Sequence, residues 1–223
     1  MVETNLLRTL ITGEQRISRF HDEKGNFVDF GGARYAFPAF ISALAKRLFG
    51  YRPPVPMISY RGRQAIEKIL RPDSRMVEFG SGKSTLWFAV RVGNLLSIED
   101  DAGWFADIQR ELASRSIPNV RYELRTADTY ADLSSIENGS LDFALVDGRD
   151  RAACINAILP KLKVGGWLYL DNSDKDMTRP DGDLRRAEAE LRQAVADRDG
   201  RILSFSDFSP TNFFVEQGML AQL

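Results

Sequence analysis

The chain has 223 residues, 43% of them hydrophobic, a formal net charge of −1 and one cysteine, Cys154. That length allows one α/β domain with a substantial core, the near-neutral charge argues against a general nucleic-acid binder, and a single cysteine excludes an internal disulfide. No run of about 18 uncharged apolar residues offers a transmembrane span, and residues 1–10, which carry Glu3 and Arg8, do not read as a signal peptide, so a cytoplasmic protein is expected.

Residues 1–33 are polar and mixed, ending in Asp29-Phe30-Gly31-Gly32. They read as short helix and loop without a core pattern. His21, the only histidine, lies here. Imidazole titrates near neutral pH, so His21 is a candidate base if this segment folds over a site; a surface position is the plainer reading. Residues 34–50 hold a denser apolar run of Tyr35, Phe37, Phe40, Ile41, Leu44, Leu48 and Phe49. The later part has helical spacing, Lys46 and Arg47 suit a helix C-terminus, and Gly50 can close it. Such a helix either packs on the main domain or in a homodimer interface, or serves as a lid or peripheral membrane contact. The first pair is the more ordinary. Residues 51–56 form a proline-rich, stiff linker. A further helix is expected over 59–70, with Tyr60 and Arg61 at its start, where Arg61 could meet a carboxylate.

The stretch Met76-Val77-Glu78-Phe79-Gly80-Ser81-Gly82-Lys83-Ser84-Thr85 organises the rest of the chain. Residues 76–79 read as a buried strand, Gly80 to Gly82 as a tight turn, and 85–92 as a helix. Strand, glycine turn and helix aim backbone N–H groups at a ligand. A nucleotide phosphate is one candidate, because Gly82-Lys83-Ser84 resembles the end of a P-loop. The full pattern is G-x-x-x-x-G-K-[ST], and its first glycine would fall on Val77, inside the strand. An adenosine with a small polar tail suits the shorter turn better. Residues 95–99 read as a second strand ending in Glu99, 19 residues past Gly80. A carboxylate roughly 20 residues beyond the turn is placed to accept two ribose hydroxyls, while Asp100 and Asp101 can cap the next helix.

That helix is expected over 102–115, with Trp104, Phe105, Ile108 and Leu112 inward. A third strand spans 120–124, with Asp128 just past its tip. A fourth, 141–146, ends in Asp147-Gly148, and Asp150 is placed to cap the helix after it. Residues 163–166 read as a turn, 167–170 as a fifth strand ending in Asp171-Asn172, and 183–199 as an amphipathic helix stopped by Gly200. The last two strands, 202–205 and 212–215, are joined too tightly for a parallel crossover and are expected antiparallel.

Glu78-Phe79-Gly80-Ser81-Gly82 resembles the first motif of class I S-adenosylmethionine (SAM) methyltransferases, with Ser84 where the common form has a third glycine. Five strand–helix units followed by an antiparallel hairpin also resemble the plan of that family, over roughly residues 59–217. EFGSGKSTLWFA, VDGRDR and LDNSD are similar to a group of bacterial methyltransferases, some linked to glycan or natural-product O-methylation. The resemblance implies a Rossmann-like, doubly wound, seven-stranded, mostly parallel sheet with an antiparallel C-terminal hairpin. Residues 59–223 would form the SAM domain and 1–58 a helical extension for lid, substrate or dimer contacts. It implies SAM contacts from Glu78, Gly80, Ser81, Gly82, Ser84, Glu99, Asp128 and Asp147. Asp128 would meet the adenine amino group; a loop cap is an equal alternative for it.

Metal-dependent catechol-type O-methyltransferases carry an Asp after strand four and an Asp-Asn after strand five. Asp147, Asp171 and Asn172 match these by position, which implies a divalent ion such as magnesium. The alternative is that the three only line the pocket. The family's lysine, three residues past the first Asp, is Asp150 here. Methyl transfer from a sulfonium needs alignment above all, and a base only for a hydroxyl acceptor. Asp147, Asp150 and His21 are the candidates, in that order. The expected activity is therefore SAM-dependent methylation of a hydroxyl on a small molecule or glycan. The alternatives are a P-loop-like nucleotide-binding enzyme and a SAM-fold protein without catalysis.

Overall fold

The structure, a computed structural model, describes residues 16–223; the reading of residues 1–10 and the start of the predicted extension lie outside them. The N-terminal helices are α1 (Phe30–Ala33), α2 (Ala36–Phe49) and α3 (Tyr60–Ile69). Then come β1 (Arg75–Phe79), α4 (Lys83–Ala89), β2 (Asn94–Glu99), α5 (Ala102–Ser114) and β3 (Val120–Leu124). After a single 3₁₀ turn follow β4 (Leu141–Val146), α6 (Arg151–Ile158), β5 (Leu162–Leu170), α7 (Asp183–Asp197), β6 (Arg201–Ser209) and β7 (Asn212–Gln222). The strands form one sheet in the order β3-β2-β1-β4-β5-β7-β6. All neighbours are parallel except β7, which runs against both β5 and β6. The order reverses between β1 and β4, so the crevice beyond their carboxyl ends is where such sheets bind ligands.

The central strands are apolar on both faces because helices cover both. On one side Val77, Leu96, Ile98 and Ala144 pack under Ile155, Ile158, Leu184 and Leu191. On the other, Met76, Leu95 and Phe143 meet Ile58, Ile66, Trp87 and Phe88. Burial of such side chains, at roughly 1.5–3 kcal/mol each, is what holds the turns at the strand ends in place.

Four expectations change. Residues 163–166 are not a turn ahead of the fifth strand but lie within β5. There the step from Leu141 to Phe143 on β4 is matched by the longer step from Leu162 to Trp167. Gly165, at φ +78°, carries that bulge and donates its N–H to Leu223 O. Asp150 does not cap α6. It sits at φ +47° with its side chain turned to Arg149. The open N–H groups of Arg151 and Ala152 instead donate to Asp183 of α7, at 2.7 and 3.2 Å. The helix after the glycine turn begins at Lys83, earlier than expected. The C-terminal hairpin is longer than its apolar alternation suggested, because its ladder continues through polar pairs such as Asp207–Glu216.

Residues 16–28 also do more than loop. Val215 N donates to Arg19 O, and Val28 joins Ala39, Tyr60, Phe208 and Val215 in a small core against the hairpin. Buried Asp22 accepts from Asn26 and Ser206. Residues 16–28 give this core little more than Phe20 and Val28 and hold the rest of their fold by polar bonds such as those of Asp22, which leaves no hydrophobic period to read.

Candidate active site

The site is built by the turns that follow β1, β2, β4 and β5. Gly80, at φ +87°, takes a conformation L side chains rarely adopt. A Cβ there would lie 2.6 Å from Gly148 N, and one on Gly148 would lie 1.9 Å from Tyr130 Oη. The turns after β1 and β4 therefore touch main chain to main chain, and both glycines are required for it.

Glu78 points beneath this turn. It is fully buried, and Oε2 accepts from Thr85 Oγ1 at 2.6 Å and Ser97 Oγ at 2.7 Å. Burial pushes its pKa up to about 7, with the Ser84, Thr85 and Ser97 hydroxyls pulling the other way. Its Oε1 is buried with no hydrogen-bond partner among the described residues. Buried carboxylate oxygens seldom stay unmet, which makes Oε1 an exception among the acceptors of this turn.

Glu99, at the tip of β2, is nearly buried and fully engaged. Oε2 accepts from Ser81 N at 3.0 Å and Ser81 Oγ at 2.7 Å; Oε1 accepts from the N–H groups of Asp100 and Asp101. A carboxylate offers about four acceptor positions. A ribose can reach Glu99 only if the Ser81 hydroxyl turns away. That hydroxyl has an alternative partner, Tyr122 Oη, at 2.6 Å. Asp101 caps α5 through Trp104 N, as expected, and Trp104 Nε1 donates to Ser81 O at 2.8 Å. Lys83 pairs with Glu111 of α5, so it does not point over the turn as a phosphate-binding lysine would. A cavity of about 670 Å³ opens beside the turn, between Tyr51 and Arg52 of the linker and Lys83, Trp104 and Glu111. A smaller one, about 310 Å³, lies at the opposite edge of the sheet near Ser74, Asp142 and Gly166, away from these residues.

The predicted metal trio is brought together, but around an arginine. Arg151 Nη2 donates to Asp147 O, to Asp147 Oδ1 at 3.2 Å and to Asn172 Oδ1 at 3.4 Å. Its Nη1 donates to Asp171 O, and its Nε to Gly148 O at 2.8 Å. A guanidinium is a permanent cation with five donors in a rigid fork. It answers Asp147 Oδ1 and Asn172 Oδ1, two of the side-chain oxygens a divalent ion would need, and the main-chain oxygen of Asp171, and no group of three acidic, histidine or cysteine ligands occurs among the described residues. These residues do not fit a metal. Asp171 is buried beside Asp147, and burial first, then the charge of Asp147, raises its pKa well above the carboxylate range. Asp147 is raised by burial too, opposed by Arg151 and by a hydrogen bond with Asp171. Both carboxyls are therefore raised, Asp171 without a direct ion pair among the described residues and Asp147 with Arg151 against it.

The remaining predicted residues lie further out. Asp128 is exposed on the 3₁₀ turn after β3. Asp150 is exposed and paired with Arg149, which also reaches Asp100 at 3.2 Å. His21 bonds Ser18 Oγ at 2.8 Å and packs edge-on against Phe27. No contact with Asp147, Asp150 or Asp171 is found for it among the described residues. Sequence reasoning missed Tyr122 and Arg151. The position of Arg151, four residues past Asp147 at a helix start, was the signal available for it.

The strand order and the antiparallel β5-β7-β6 end are those of a Rossmann-like methyltransferase fold. Residues 77–173 match the family described as "Methyltransferase domain". Three solved structures illustrate the likeness in fold. One is the O-methyltransferase TomG from Streptomyces achromogenes, involved in tomaymycin synthesis and solved with SAM. It is 20% identical, with 83% of this chain and 89% of that one covered and a TM-score of 0.59. An rRNA methylase from Streptococcus thermophilus is 16% identical, with 75% and 98% covered and a TM-score of 0.56. A SAM-dependent O-methyltransferase from Thermotoga maritima is 14% identical, with 81% and 70% covered and a TM-score of 0.54. No curated relative matches the sequence. No helix among the described residues is long and apolar enough to cross a membrane.

Proposed function

We propose that this chain binds SAM at the turns after β1 and β2 and methylates a hydroxyl oxygen of a small molecule or glycan. The observation that carries this is the convergence of Gly80, Glu99 and the Asp147–Arg151–Asp171 cluster on one edge of the sheet. The unmet Oε1 of Glu78 supports it. So do the names of the O-methyltransferases that share the fold. When bound, SAM supplies a methyl group already activated on a sulfonium.

The chain's own residues do the rest. Gly80 and Gly148 let the turns after β1 and β4 close on each other, main chain to main chain, and so fix the floor of the site. Glu78 and Glu99 offer carboxylate oxygens to its polar tail and ribose, with Ser81 switching from Glu99 to Tyr122. Asp147 takes the acceptor's proton. Arg151 holds that carboxylate in place and offsets its charge, as a metal does elsewhere, so the reaction needs no added ion. The near-neutral net charge favours a small acceptor over a nucleic acid, and a cytoplasmic setting suits the cofactor.

Calorimetric titration with SAM, S-adenosylhomocysteine and ATP tests the cofactor. Saturable SAM binding, unchanged by chelator, is expected, and ATP binding alone would sink the reading. Glu99→Ala is expected to weaken SAM about 10–100-fold, the worth of charge-assisted hydrogen bonds. Methyl transfer to a panel of hydroxyl compounds, read by S-adenosylhomocysteine release, separates an enzyme from a SAM-fold protein without catalysis.

A further inference from the structure

Helix α2 is amphipathic in reverse. It packs on the body through small residues: Ala39 is fully buried, and the Ser42 hydroxyl accepts from Thr211 N at 2.9 Å. Its large side chains face outward. Phe37 is 73% exposed, Leu48 60% and Phe49 80%, with Phe40, Ile41 and Leu44 between them. Phe30, ahead of the helix, is 99% exposed, and Tyr51, just after it, 57%. A contiguous apolar surface of this kind marks an interaction site.

The charge around it has one sign. From Phe30 to Ile66 the chain contains no Asp or Glu but carries Arg34, Lys46, Arg47, Arg52, Arg61 and Arg63. Arg61 is paired with Asp29 and Asp207. Arg34 and Arg47 are exposed and form no ion pair with a described carboxylate. Lys46 loses proton affinity to burial and to the neighbouring Arg52 charge, against a weaker pull from Glu216.

We propose that the outer face of α2 docks on an anionic lipid bilayer. Phe37, Phe40, Leu44, Leu48 and Phe49 enter the acyl boundary, and Arg34 and Arg47 meet the headgroups. Exposed aromatic and aliphatic residues beside unpaired cations are the makeup of interfacial helices. A two-fold dimer through the same face would set this one-signed patch against itself, with no carboxylate in the stretch to answer it. A lipid surface supplies both the apolar phase and the negative charge.

Co-sedimentation of the full chain with phosphatidylcholine vesicles, with and without phosphatidylglycerol, tests this. Binding is expected to the mixed vesicles, weakened by salt. Removing two cations in Arg34→Gln/Arg47→Gln is expected to weaken it about 30-fold, the effect of two headgroup contacts. Phe37→Ser/Phe49→Ser is expected to abolish it while unfolding and SAM titration stay unchanged. Absence of vesicle binding, or binding indifferent to both variants, overturns the proposal. So does a dimer, seen by light scattering, that Phe37→Ser/Phe49→Ser dissolves in a chain that ignores vesicles. Binding gained only on deletion of residues 1–15 would assign the face to the chain's own N-terminal segment, and would overturn it equally.

Discussion

The carboxyl edge of the sheet and the outer face of α2 break the rules of burial in opposite directions. At the sheet edge, Glu78, Glu99 and Asp171 are carboxylates taken out of water. On α2, Phe37 and Phe49 are large apolar groups left in it. The first arrangement survives because hydroxyls and main-chain N–H groups answer most of the oxygens of Glu78 and Glu99, and the Arg151 cation stands against the main chain of Asp171. The second has no internal answer among the described residues. Charge can be buried where the fold supplies donors; an exposed apolar face has to find its partner elsewhere.

The contrast breaks most sharply at Arg151. Arg151→Ala is expected to cost about 3 kcal/mol or more, because it strands Asp147 and three main-chain carbonyls near a buried carboxyl. Arg151→Lys should restore little, since one ammonium cannot reach all five acceptors. Urea unfolding measures both. A loss below about 0.5 kcal/mol would mean that the guanidinium is not what permits the cluster.

Glu78 gives the next effect, and its sign follows from linkage. Its folded pKa, about 7, lies above the reference value of 4.5. The folded state therefore holds the proton longer, and stability falls as pH rises from 4.5 through 7. The drop has an upper bound of about 3 kcal/mol. Glu78→Gln keeps an acceptor for Thr85 and Ser97 but cannot ionise. Thermal unfolding across that window should slope downward for the native chain and lie flatter for the variant. Parallel curves would remove Glu78 as the source.

Gly148→Ala is expected to destabilise by about 1–3 kcal/mol through overpacking against Tyr130. The double change Gly148→Ala/Tyr130→Phe should recover part of it, because the added Cβ meets the hydroxyl first, at 1.9 Å. Equal losses in the two variants would place the conflict with the Gly80 main chain. Smallest is Phe37→Ser/Phe49→Ser, whose effect on unfolding should stay within about 0.5 kcal/mol per site. A larger loss would show that α2 is covered after all.

Much of the fold was legible. Runs such as Leu95-Leu96-Ser97-Ile98-Glu99 show a buried strand, and the step from Gly80 to Glu99 places a turn and a carboxylate on one edge. These are local properties, written within a few residues or one strand–helix unit. What stayed hidden involves partners far apart in the chain. Asp183 caps α6 from the start of α7. Gly148 is required because Tyr130 and Gly80 close on it.

The sequence by itself determined the strand–turn–helix rhythm, the antiparallel end of the sheet and which carboxylates reach its edge, because hydrophobic period and chain spacing decide those. It also showed Asp147, Asp171 and Asn172 at matching strand ends. Only the tertiary structure decided that a guanidinium stands among them, because that depends on where a side chain four residues away is free to turn. It decided the orientation of α2 as well. The helical period marks an apolar face, but whether that face looks inward depends on the fit of Ala39 and Ser42 against the hairpin.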